Sequence, residues 1–181
     1  MRFFAVLVLA IAVLQAPATA ARTHESAQVE RVAVLEAGLV RELNRIRVAR
    51  GLHGLRSTPG LHTAARAHSR TMLEVGFFGH ESPDGTTFSD RIRRSYSSRE
   101  WRTWSVGETL LVNEGRRIEA AAVVSAWLHS PRHRAIVLTP AWRDVGIGVF
   151  YAATAPGEYG GAAALVVTAD FGLRTGRTSG S

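Results

Sequence analysis

The 181-residue sequence contains no cysteine and no lysine, so all 22 of its basic side chains are arginine. These two absences exclude a disulfide framework, a thiol nucleophile, a thiolate-bound zinc or iron–sulfur centre, a P-loop lysine and a Schiff-base enzyme. A chain of this size without cross-links must be held by a hydrophobic core, and its length is that of one domain. Apolar runs are also short. The longest, from Phe3 to Leu14, falls well below the roughly 20 residues that cross a bilayer. Only 15 acidic residues offset the arginines, for a net charge of +7. The arginines are nonetheless dispersed, often beside acidic residues, with no basic block and no RNA-reading aromatic motif, so nucleic acid is not an expected partner. A positive exported surface fits anionic cell-envelope polymers or lipid headgroups, and also plain solubility.

The first residues carry the parts of a secretory signal. Met1-Arg2, the apolar run and Ala18-Thr19-Ala20 predict a signal peptide over 1–20, cleaved after Ala20, and hence a secreted, extracellular protein with no transmembrane segment after cleavage. An uncleaved membrane anchor is the competing reading. Residues 21–34 read as an N-terminal arm and the start of a first helix, 35–173 as the domain, and 174–181 as a flexible tail.

Apolar residues at Val32, Leu35, Leu39, Leu43 and Ile46 fall at steps of three and four, which predicts an amphipathic helix from Val29 to near Gly51 with Arg41, Arg45 and Arg47 on its other faces. Thr58-Pro59 opens a second helix, which Gly76 ends. His68 lies on its buried stripe and reads as a core histidine; His62 and His53 carry no functional argument. Thr87 caps a short helix bearing Arg91, Arg93 and Arg94. Trp101 and Trp104 read as a lid over a core edge or as a ligand platform. Ile118 to Leu128 is a small-residue helix, and Ser130-Pro131 starts another whose third residue is His133. Asp144–Tyr151 and Ala164–Phe171 are β-branched and alternating, joined by turn residues, as in a hairpin. Gly146-x-Gly148 lacks both the third glycine and the helix of a dinucleotide fingerprint. Helices first and strands last predict an α+β domain.

The stretch Gly76–Phe88 places His80 between the aromatic pair Phe77-Phe78 and a turn of Ser82, Pro83, Asp84 and Gly85. Glu108 and His133 are the later residues that could join it in a His/Glu/His cluster, against the plain reading of all three as polar loop residues.

Taken together, Phe78-Gly79-His80-Glu81-Ser82-Pro83-Asp84-Gly85, Asp90-Arg91-Ile92, Gly107-Glu108-Thr109, Trp127 to Arg134, Val145 to Val149 and Asp170-Phe171-Gly172 resemble a bacterial secreted member of the CAP superfamily. This is the group of cysteine-rich secretory, antigen 5 and pathogenesis-related proteins, in its SCP-like extracellular form. The resemblance implies an α-β-α sandwich with helices packed on a central antiparallel sheet, and a cleft lined by two histidines and two glutamates. In some members the histidines take zinc or another divalent cation. Carried over, the cleft residues are His80, Glu108 and His133, with His80 and His133 as the metal ligands. Thr109 replaces the usual Asn, and Ser130 stands about where a second glutamate is placed elsewhere. Three functions stay open. A secreted binding protein would hold a lipid or peptide-like ligand in that cleft. A metal-dependent, peptidase-like hydrolase would need Glu81 or Asp84 as a base if Glu108 serves as a ligand. An envelope interaction module would use the arginine surface. No Gly-x-Ser-x-Gly elbow supports a serine hydrolase.

Overall fold

The computed structural model describes residues 28–178, so the expected signal peptide lies outside the described residues. The elements in chain order are β1 (Val29–Arg31), α1 (Ala33–Val48), β2 (Arg56–Ser57), α2 (Pro59–Val75), α3 (Phe88–Ser95), β3 (Trp101–Glu114), α4 (Ala120–His129), α5 (Pro131–Val137), β4 (Asp144–Ala152) and β5 (Ala164–Arg177). The sheet runs β1-β4-β5-β3, antiparallel throughout that path, with the two-residue β2 added to β4 in parallel. Alternation along the strands sorts the core into two layers. Val145, Ile147, Val149, Leu165, Val167, Ala169 and Phe171 meet Leu35, Leu39 and Leu43 of α1 and Val123, Val124 and Trp127 of α4. Phe150, Ala152, Ala164 and Val166 meet Met72 and Leu73 of α2 on the other face. The fold is the α-β-α sandwich.

Helix α2 lies so close to the sheet that only glycine fits beneath it. A Cβ at Gly146 would collide with the backbone of Leu61 and His62, and one at Gly148 with the carbonyl of Ala65. The Gly-x-Gly pair is therefore a docking groove for a helix. On the edge of β4 between β1 and β2, the Ile147 backbone and the Val149 N–H have no backbone partner among the described residues, and side chains close the gap. His62 Nδ1 lies 2.8 Å from the Ile147 oxygen and 3.0 Å from its nitrogen. The Val149 N–H donates to Glu36 Oε1, and Glu36 also receives Arg31 and Arg66. Burial pushes the Glu36 carboxyl up, but the hydrogen bonds from the two guanidiniums outweigh it and hold it below the usual range.

Four expectations are corrected. The first helix begins at Ala33, because Val29–Arg31 pair with the edge of β4 and the Val32 N–H donates to Val149 O; the apolar spacing at Val29 and Val32 serves a strand. Trp101–Glu114, for which no strand is predicted and whose tryptophans read as a lid or a platform, is a single 14-residue strand. Residues 174–177 are not frayed: β5 continues to Arg177, paired with Trp101. Arg47 is fully buried instead of facing solvent. Its guanidinium donates to the carbonyls of His53, Val137 and Thr139 at 3.0, 2.7 and 3.1 Å, which ties α1 to the C-terminal end of α5.

Candidate functional site

Strand β3 is an edge strand, and Glu108 at its middle is only 2 % exposed. An ionised carboxylate persists there only if both oxygens are satisfied by strong donors. His80 Nδ1 donates to Oε1 at 2.8 Å, and Arg91 Nη2 donates to Oε2 at 2.8 Å. Arg91 also holds the loop: its Nη1 donates to the His80 carbonyl at 2.7 Å and to Thr86 O at 3.3 Å. The loop takes the turn expected of it. Gly85 N–H donates to Ser82 O at 2.8 Å, and Gly85 has φ +80°. Thr87 caps α3 by accepting from Asp90 N–H, which sets the first turn from which Arg91 reaches inward.

The carboxylate at Nδ1 fixes the tautomer of His80. With the proton on Nδ1, Nε2 carries a bare lone pair, on a side chain that is 49 % exposed. His68, read as a core histidine, is buried as expected, but it also belongs to the neighbourhood of the site. Its Nε2–H donates to the Gly79 carbonyl at 2.9 Å, one residue before His80, and its Nδ1 has no partner. Burial pulls its pKa below the ordinary value, with Arg91 and His80 adding to the shift and Glu108 opposing it. A depressed folded pKa leaves the unfolded chain binding more protons, so the stability His68 contributes is present above about pH 6.5 and is lost as pH falls through the folded value. The slope of unfolding free energy against pH in that acid window is expected to shrink in His68→Gln, measured by denaturant melts. It should not vanish, because His133 titrates with the same sign.

His133 is the third residue of α5. Ser130 is the N-cap residue, as expected, yet its side chain makes no capping bond and Pro131 sets the first turn. Neither ring nitrogen of His133 has a hydrogen-bond partner among those found for the described residues, and burial, then the adjacent His80, hold its pKa below the ordinary value. Arg47 and the packing of α5 on β3 bring this ring toward His80 from the opposite helical layer.

The second carboxylate was missed by the sequence reading. Asp170 of β5 sits directly opposite Glu108 in the β3–β5 register, is 1 % exposed and has an unpartnered Oδ1. Burial, then the negative charge of Glu108, raise its carboxyl well above the usual range, against Arg91. Asp170 therefore holds its proton more tightly than a free carboxyl does. The signal was available: an aspartate inside the apolar run Ala164–Phe171 is out of place unless it serves a site. The other candidate bases do not converge here. Glu81 is exposed, and Asp84 Oδ1 accepts from Thr86 N–H within the turn.

A mostly apolar cavity of about 620 Å³ adjoins these residues, between α2, α3 and the Ser82–Thr86 turn, and is lined by His68 and Arg91 among others. A larger one, about 880 Å³, lies away from the site at the start of α1 and α4. For a divalent cation the donor set is limited. No group of three or more His, Asp or Glu side chains is gathered for a metal among the described residues, and both oxygens of Glu108 are engaged. What fits is a two-imidazole site, His80 and His133, with Glu108 as the carboxylate behind a ligating histidine.

The family model described as "Cysteine-rich secretory protein family" matches residues 40–171. Uncharacterized protein YkwD of Bacillus subtilis (strain 168) is 30 % identical over 135 residues, covering 74 % of this chain and 50 % of that protein. The chain therefore spans about half the length of that relative. Among solved structures, an extracellular SCP-domain protein of Bacillus anthracis aligns with a TM-score of 0.60 at 22 % identity, over 79 % of this chain and 41 % of that one. An outer surface protein of Borrelia burgdorferi aligns equally well, TM-score 0.60 at 22 % identity, over 81 % of this chain and 98 % of that one. With more than half its length matched by the family model and its helices on both faces of the sheet, this cysteine-free chain belongs to the cysteine-rich secretory protein (CAP) family.

Proposed function

We propose that the chain is an exported binding protein. It holds a lipid or peptide-like ligand at the edge of β3, with the polar end of the ligand on His80 and His133. The observation that carries this reading is the saturation of Glu108: a buried carboxylate clamped by Arg91 pins His80 through Nδ1 and leaves Nε2 without a partner, while His133, also without a hydrogen-bond partner among the described residues, is near enough for His80 to lower its pKa. Such a pair accepts a hydroxyl or amide proton, or shares a divalent cation such as zinc, which both imidazoles could ligate while neutral. The apolar cavity beside Arg91 is of the size that takes the body of a small ligand. Export is supported by the N-terminal sequence pattern and by the two structural relatives, one described as extracellular and one as an outer surface protein. The hydrolase reading is weaker, because a free carboxylate base is needed and Glu108 has none of its oxygens free.

Native mass spectrometry of the mature domain, after incubation with an envelope lipid extract and separately with a peptide mixture, is the test. A retained adduct of one ligand per chain is expected, reduced at least tenfold in His80→Ala and His133→Ala while circular dichroism is unchanged. In a parallel zinc titration any stoichiometric binding should be lost in the same two variants. Adducts that survive both substitutions would move the ligand elsewhere.

A further inference from the structure

The strands β3 and β5 run on beyond the site, and arginines gather there, of which Arg94 also lines the apolar cavity beside Arg91. Arg93, Arg94, Arg99, Arg102 and Arg177 are exposed and Arg174 is half-buried, against the carboxylates of Asp90 and Glu100. Contacts join these residues into one surface. Arg93, Arg94 and Arg99 line a hollow of about 540 Å³ with Asp90, Ser97 and Ser98. Arg93 stacks over Trp104 at 4.6 Å, and Arg174 lies 3.8 Å from the Tyr96 ring and 5.0 Å from the Trp101 ring. Arg102 packs against Gly176 on the paired strand, and Arg177 lies opposite Trp101. Only Arg93 and Arg177 have carboxylate partners among the described residues, Asp90 and Glu100, both at 3.2 Å.

We infer that this arginine–aromatic surface binds a linear, phosphate-bearing polyanion. A guanidinium laid flat on an aromatic ring is pre-organised and turns its N–H edge outward, the geometry that grips phosphate with two parallel hydrogen bonds. Two such forks, Arg93 and Arg174, flanked by exposed arginines on a surface of net positive charge, suit a chain of repeated anions and give it a binding strength that falls steeply with salt. A lipid bilayer fits the same charge but not the same surface. Insertion needs protruding apolar side chains, and here both indoles are half-buried, with the Trp104 N–H donating to Tyr96 O. The exposed large apolar residues, Val34, Val48, Val75 and Val112, lie on other elements or outside this patch.

The test uses the mature domain and inorganic polyphosphate of medium chain length, followed by fluorescence anisotropy or calorimetry over a range of salt. Wild type is expected to bind with an affinity that falls with rising salt. Arg99→Ala/Arg102→Ala/Arg177→Ala should weaken binding at least tenfold and flatten the salt slope, with the melting temperature unchanged because all three side chains are exposed. A matched triple variant elsewhere, Arg41→Ala/Arg50→Ala/Arg117→Ala, should bind as wild type does. Equal losses in both variants would overturn the localised surface in favour of diffuse net charge. Absence of polyphosphate binding, or binding seen only to vesicles of anionic phospholipid, would also overturn it. Since none of the substituted residues touches His80, Glu108 or His133 or lines the cavity beside Arg91, failure here leaves the ligand at the edge of β3 unaffected, and the reverse holds.

Discussion

Glu108→Ala is expected to lower the unfolding free energy by about 3–5 kcal/mol and to abolish ligand retention. The Glu108 and Arg91 side chains are 1 % and 12 % exposed, so solvent does little to screen their interaction. Removing the carboxylate strands the Arg91 guanidinium with one partner fewer and frees the His80 ring to rotate. Glu108→Gln keeps the shape and one acceptor oxygen, so its cost should be smaller, about 1–3 kcal/mol. The two variants separate a charge effect from a packing effect. Denaturant melts of both, with m-values compared to confirm a common denatured state, check the expectation; a loss under about 1 kcal/mol in the alanine variant would mean that the clamp contributes little.

The second large effect is expected far from the cleft. Arg47 is a buried cation with no carboxylate beside it; burial pulls its pKa below the ordinary value, with Arg143 acting in the same direction. Three backbone carbonyls receive it, including Val137 and Thr139 at the end of α5, where the negative end of a helix favours a cation. Arg47→Ala takes a donor from each of those carbonyls, leaving Thr139 O only the 3.4 Å bond from Trp142 N–H, and leaves a void behind, for an expected loss of about 2–4 kcal/mol. Arg47→Met fills the void without the donors and should recover only part. The functional readout is distinct from the stability one. Because Arg47 anchors α5, His133 should lose its position relative to His80, and ligand retention should fall even at temperatures where the variant remains folded.

Much of the fold was readable because periodicity and turn chemistry agreed. Thr58-Pro59, Thr87, Ser130-Pro131 and Gly76 mark helix ends in the sequence and in the structure. The turn at Ser82–Gly85 followed from its residues, and the three cleft residues came from the family resemblance. What stayed hidden shares one cause: it depends on pairing between distant strands. Trp101–Glu114 is polar and aromatic at its start because those residues lie on an edge strand, so alternation failed as a signal there. Asp170 stands out within its apolar run, but its neighbour Glu108 is visible only when β3 and β5 are placed side by side. Arg47 looks like a surface arginine until α5 arrives to receive it, and His62 until the gap in β4 is seen. Local pattern reports burial by a helix or sheet face; it does not report which buried polar group another segment will satisfy.

The most direct measurement of the account is the protonation pattern of the His80 ring, read from two-bond nitrogen–proton NMR correlations of the mature domain at neutral pH, before and after saturation with a captured ligand. The expected spectrum shows His80 protonated on Nδ1 with a bare Nε2, and a shift of Nε2 together with a nitrogen of His133 when the ligand binds. A ring protonated on Nε2 in the free protein, or ring nitrogens of both histidines unmoved at saturation, would contradict it.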